Sequence, residues 1–121
     1  MGYKEWSIIL SIWILMGCRT TQVVAQNYPD QFFTLSCYSI GTGPDTKADD
    51  IIMSIINTYQ KKGYDIKYET SYWGMEGESD YCFQLQSLDP KVYNQLLQEF
   101  KTQLKDRMVH IYEKKTCRQN K

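Results

Sequence analysis

The strongest constraint on this chain is the order in which its apolar residues change spacing. Within Phe32–Ile40, Phe33, Leu35 and Cys37 alternate with Thr34, Ser36 and Tyr38, the two-residue period of a strand with one buried face. Gly41-Thr42-Gly43-Pro44-Asp45 breaks that strand. Ala48, Ile51, Ile52, Ile55, Ile56 and Tyr59 then fall at i, i+3, i+4, i+7, i+8 and i+11, the stripe of an amphipathic helix. Thr46, with Asp49 three positions on, resembles a capping box and is the expected cap; Gly63 is the expected left-handed stop. The two-residue period returns with Tyr64, Ile66, Tyr68, Thr70 and Tyr72 against Asp65, Lys67, Glu69 and Ser71. After a turn over Gly74–Ser79, Tyr81, Phe83 and Leu85 alternate with Cys82, Gln84 and Gln86, which predicts a hairpin. Asp89-Pro90 reads as an N-cap followed by proline at the first helical position. Val92, Tyr93, Leu96, Leu97, Phe100 and Leu104 give the second helix its face, and Val109 and Ile111 mark a last strand over Met108–Glu113.

The resulting order is βαββαβ. Two helices on one face of a four-stranded antiparallel sheet is the α+β arrangement called the ferredoxin-like plait. Right-handed crossovers then require the spatial order 4-1-3-2, with strands 2 and 4 at the edges. The domain is expected over residues 31–117, with a polar, basic tail at 118–121. About 100 residues is one domain's worth and buries a modest core.

Ahead of the domain, Ser7–Cys18 is an apolar run that ends Leu15-Met16-Gly17-Cys18. About 11 apolar residues match the core of a signal peptide, whereas a membrane-spanning helix needs roughly 20. The ending resembles the lipobox of bacterial lipoproteins, in which the cysteine carries diacylglycerol and becomes the first mature residue. The resemblance implies a signal peptide over 1–17, lipidation at Cys18, and a lipid-anchored tether over 18–30. It also implies an extracytoplasmic, membrane-anchored location in the cell envelope. Alternatives are ordinary secretion after a cut at Ala25 or Gln26, and an uncleaved anchor. N-myristoylation is excluded because Trp6 stands where Ser or Thr is required.

Fourteen Lys plus Arg balance fourteen Asp plus Glu, so the chain lacks the electrostatic footprint of a nucleic-acid binder. Ten tyrosines suit half-buried strands and binding surfaces, where one side of the ring is apolar and one end is wet. With Cys18 lipidated, Cys37, Cys82 and Cys117 remain, allowing at most one internal disulfide. Cys37 is expected to be a buried thiol. Cys82, placed near the start of strand 3, and Cys117, past the far end of strand 4, would lie roughly 20 Å apart. No bond is expected there unless the tail folds back, nor between Cys37 and Cys82, which face opposite sides.

If Val109 and Ile111 face the helices, then Met108, His110 and Tyr112 point to the helix-free face. Thr34, Ser36, Tyr38, Cys82, Gln84, Gln86 and Trp73 join them by the same parity. Tyr38, Trp73, Gln84, His110 and Tyr112 are the candidate binding residues, for a protein partner, a second copy or a sugar chain; a solvated sheet face is the plainer reading. His110 is the single histidine, so a hydrolase would have to use it, yet no Gly-x-Ser-x-Gly elbow accompanies it. Glu76, Glu78 and Asp80 cluster without EF-hand spacing, and Gly41-x-Gly43 lacks the rest of a phosphate loop. No catalytic set, metal site or cofactor is expected.

Phe33-Thr34-Leu35 before a glycine turn, then Lys62-Gly63-Tyr64-Asp65-Ile66 closing a helix, resembles the first half of the SPOR domain. That family is an extracytoplasmic plait that binds bare peptidoglycan strands; the glycine it carries after strand 3 is missing here. An RNA-binding plait shares the topology, but its glycine–aromatic motif is absent. The expectation is a lipid-anchored interaction module without enzymatic activity, with a glycan binder as the alternative.

Overall fold

The computed structural model describes residues 26–117. The expected signal peptide, Cys18, most of the expected tether and the 118–121 tail lie outside the described residues. The elements run β1 (Phe32–Cys37), α1 (Thr46–Lys61), β2 (Tyr68–Trp73), β3 (Glu78–Gln84), α2 (Pro90–Gln103) and β4 (Val109–Glu113). The strands form one antiparallel sheet in the order β2-β3-β1-β4, and both helices cover the same face of it. This is the ferredoxin-like plait, with the expected strand order and edges.

Both helices are built from local signals. Asp45 sits in extended backbone, and its carboxylate accepts the Ala48 N–H at 3.1 Å. The cap of α1 is therefore Asp45, one residue before the expected Thr46, which is already helical. At the other end Gly63, at φ +92°, lets the chain reverse. Its N–H bonds Gln60 O at 3.0 Å and the Tyr64 N–H bonds Tyr59 O at 3.2 Å, the paired bonds of a Schellman motif. The Tyr59 and Tyr64 rings, 6.1 Å apart, supply its usual apolar contact. In α2, Asp89 accepts the Lys91 N–H at 2.8 Å, and Pro90 occupies the first turn as expected.

The core lies between sheet and helices. Phe33 stacks on Phe83 at 4.7 Å, Phe100 closes on both rings, and Leu35, Ile52, Ile56 and Leu96 fill in around them without exposure. Cys37 is shut into this side as a free thiol. Burial, then the nearby Asp49 carboxylate, push its pKa up to about 12.

Strand limits differ from the alternation in two informative places. Tyr64 is spent on closing α1, so ladder pairing of β2 starts at Tyr68 although Ile66 is still buried. The hairpin turn is shorter than expected. Gly74 and Gly77, both left-handed, tighten it so that Glu78 pairs with Trp73 and β3 begins three residues before Tyr81. That shift carries Cys82 further along the sheet.

Candidate functional site

Directly paired residues on antiparallel strands share a face, so the registers assign the helix-free side row by row. One row reads Ser71, Asp80, Ser36, His110 and the next Glu69, Cys82, Thr34, Tyr112. Thr34, Ser36, Asp80 and Cys82, in the middle of these rows, are all buried. The face is therefore covered at its centre.

Part of the cover is the C-terminal segment. Lys114 continues the ladder to Phe32 O at 3.0 Å and adopts φ 55°, which turns the chain back over the sheet. The Thr34 hydroxyl donates to Lys115 O at 2.7 Å, and Cys117 is disulfide-bonded to Cys82 with Cα atoms 5.4 Å apart. This corrects the expectation that the two cysteines lie out of reach. With β3 beginning at Glu78, Cys82 sits opposite Thr34, which on its other side faces Tyr112. The two positions are two strand spacings apart, about 10 Å, which the five residues after Tyr112 span easily. The doubt about Cys37 and Cys82 is upheld, since the sheet separates them.

The candidate residues fall into three places. Tyr38, His110 and Tyr112 form a strip beside the β4 edge: Tyr38 and His110 stack at 4.5 Å, and His110 and Tyr112 approach at 5.9 Å. Lys115 extends the strip, its Nζ 4.2 Å from the centre of the Tyr112 ring. Trp73 stands apart at the end of β2, where its indole N–H donates to Asp80 Oδ1 at 2.9 Å. Gln84, at the opposite end of the sheet, accepts from the Gln86 amide at 2.9 Å. Lys115 and Asp80 were not among the residues the sequence singled out for this face. Asp80 follows from the parity of Cys82 once β3 is extended backwards, whereas nothing in the sequence signals the return of the tail.

The remaining chemistry-bearing residues have structural partners. Ser36 lies between Asp80 and His110, so the acid flanks the serine and not the histidine. A hydrolytic triad needs the reverse, an acid that orients the base. The Glu76 carboxylate accepts from the Ser39 hydroxyl at 2.7 Å and that of Glu78 from the Glu76 N–H at 2.9 Å. No cluster able to hold a metal occurs among the described residues.

Asp45 serves several partners with one carboxylate. Beyond capping α1 it accepts the Met108 N–H at 3.3 Å and meets Arg107 Nε at 2.9 Å. Desolvation alone would raise its pKa, but the Ala48 and Met108 N–H groups and the Arg107 guanidinium together hold it below the usual value. It joins α1 to the start of β4, and so fixes the end of the ring strip nearest Tyr38, whose N–H bonds Met108 O at 3.1 Å.

On the helix side a wide groove of about 1020 Å³ runs along α2, with Gln95, Gln98, Glu99 and Thr102 in its lining. Its tyrosine, Tyr59, is buried and donates its hydroxyl to Glu99 at 2.9 Å. The chain matches no protein-family model, no curated protein and no solved structure.

Proposed function

We propose that this chain is a lipid-anchored, extracytoplasmic interaction module without enzymatic activity, held to the membrane through Cys18 and presenting the Tyr38–His110–Tyr112 strip to a protein partner. The observation that carries this reading is the Cys82–Cys117 bond. Disulfides persist in oxidising compartments outside the cytoplasm. With Cys37 buried, the cysteines of the domain are accounted for, and the remaining one is Cys18 of the lipobox-like segment. More than one acyl chain is needed for stable anchoring, a condition that a diacylglyceryl cysteine meets.

Protein is favoured over glycan by how the rings stand. Sugar rings bind to open aromatic faces. Here Tyr38 and His110 each cover a face of the other, and Lys115 lies over Tyr112. Beside them the strip carries tyrosine hydroxyl groups and an ammonium, which suit the side chains and carbonyls of a peptide segment.

Two experiments test the reading. Membrane fractionation with mass analysis of the N-terminal peptide is expected to find a diacylated Cys18 in the membrane fraction and a Cys18→Ala protein outside it; a soluble mature chain starting near Gln26 would refute the anchor. Cross-linking in intact cells is expected to capture a protein partner that a His110→Ala, Tyr112→Ala double variant loses. Sedimentation of the wild type with isolated peptidoglycan, abolished in that variant, would replace the protein partner by a glycan.

A further inference from the structure

We infer that residues 114–117 are a thiol-gated strap, a cover that the Cys82–Cys117 bond latches onto the open sheet face and that an external dithiol releases without unfolding the domain. The inference does not depend on the identity of any partner.

Three observations converge on it. The first is position: the hydrophobic core lies wholly on the helix side of the sheet, whereas the disulfide lies on the other. None of the mutual contacts of Phe33, Phe83 and Phe100 passes through the bond. The second is how little else holds the strap. Among the described residues its hydrogen bonds and ring contacts are Lys114 N–H on Phe32 O, where the strap leaves β4, the Thr34 hydroxyl on Lys115 O, and Lys115 Nζ over the Tyr112 ring. The third is what it hides. Thr34 is a buried polar residue that water can solvate at once, so uncovering it carries none of the penalty of exposing an apolar core. A segment latched covalently and held weakly otherwise has two states close in free energy once the latch opens, which is what a switch requires.

The chemistry balances with a dithiol as reductant. Cys82 is 3% exposed whereas Cys117 is partly exposed, so the incoming thiolate reaches the Cys117 sulfur. Attack there forms a mixed disulfide and expels the Cys82 thiolate, which takes up a proton. The second thiol of the reductant then displaces Cys117, leaving the reductant as a disulfide and two thiols on the protein. Cys37 takes no part, because it lies across the sheet in the core with its thiol protonated.

Limited trypsin digestion of the full chain, followed by mass spectrometry, tests the idea. A protease needs free, extended backbone, and the Lys115 carbonyl is engaged by Thr34. Cleavage after Lys115 is expected to be at least tenfold faster after dithiothreitol, and equally fast in Cys117→Ser without reductant. Cleavage after Lys101, inside α2, reports global unfolding and is expected to stay slow in both. Reoxidation of the wild type is expected to restore protection. An unchanged rate at Lys115 would mean that the strap stays docked without its latch. Equal acceleration at Lys101 would make the bond a staple of the whole fold. Either result, or protection that reoxidation does not restore, overturns the inference.

Discussion

Asp45→Ala tests how the loop after β1 holds the domain together. The substitution removes the cap on Ala48, the acceptor for Met108 N–H and the partner of Arg107. Loss of an N-cap costs about 1 kcal/mol. The Arg107 pair is discounted to at most about 1 kcal/mol, because the arginine is one-third exposed. The Met108 N–H loses a charged acceptor and contributes about 1 kcal/mol more. These groups share one carboxylate and are not additive, so the expected total is about 2–3 kcal/mol. Thr46→Ala, at the residue that the sequence pattern favours as the cap, is expected to cost no more than about 0.5 kcal/mol. Urea unfolding of the purified proteins, followed by far-UV circular dichroism, reads both changes in one experiment. Equal losses for the two variants would show that the cap and the cross-link are not where the carboxylate places them. The carboxyl is held below its unfolded pKa, so its contribution is present above about pH 4 and fades as pH falls through the folded pKa. Asp45→Ala is therefore expected to lose less stability than the wild type as pH falls below about 4.

Other perturbations probe separate parts of the fold. Phe33→Ala, at the centre of the ring cluster, is expected to cost about 3–5 kcal/mol and to lower the melting temperature by at least about 12 °C in calorimetry. Gly63→Ala forces a side chain onto a backbone at φ +92°, with an expected loss of about 1–2 kcal/mol by chemical denaturation. The Cys37 thiol, at a pKa of about 12, should resist iodoacetamide at pH 8 in the folded protein and react on addition of denaturant. Because that pKa is raised above its unfolded value, stability is expected to fall as pH rises past about 9, and less steeply in Cys37→Ala.

The sequence disclosed the parts of this fold that depend on periodicity. Ile52, Ile56, Leu96 and Phe100 sit at helical spacing and are fully buried, while Phe33, Leu35 and Phe83 sit at strand spacing and meet them. The same parity put His110, Tyr112 and Tyr38 on one face, where their rings touch. Local signals were less certain by one residue or a few. Asp45 and Thr46 both have capping side chains, and only the backbone at Asp45 decides between them. Gly74 and Gly77 could bound a long loop or a tight one; the tight one moved β3 by three residues and with it the level of Cys82. The path of Lys114–Cys117 had no signature at all. A polar tail without period is silent about direction, and its course depends on one left-handed residue and a partner 35 positions away.

The place of β1 in the sheet has a mechanical consequence. The chain enters the domain through Tyr28–Gln31, pinned to the end of β3 by Tyr28 N–H on Gln86 O, and passes straight into β1. That strand is not an edge but the shared partner of β3 and β4. A pull on the N-terminal segment along the strand axis would meet two antiparallel ladders whose hydrogen bonds lie across the direction of load, to be sheared together and not unzipped one rung at a time. Traction through the leading segment thus falls on the stiffest direction of the sheet, and the β2 edge, which has no ladder with β1, is left out of the line of force.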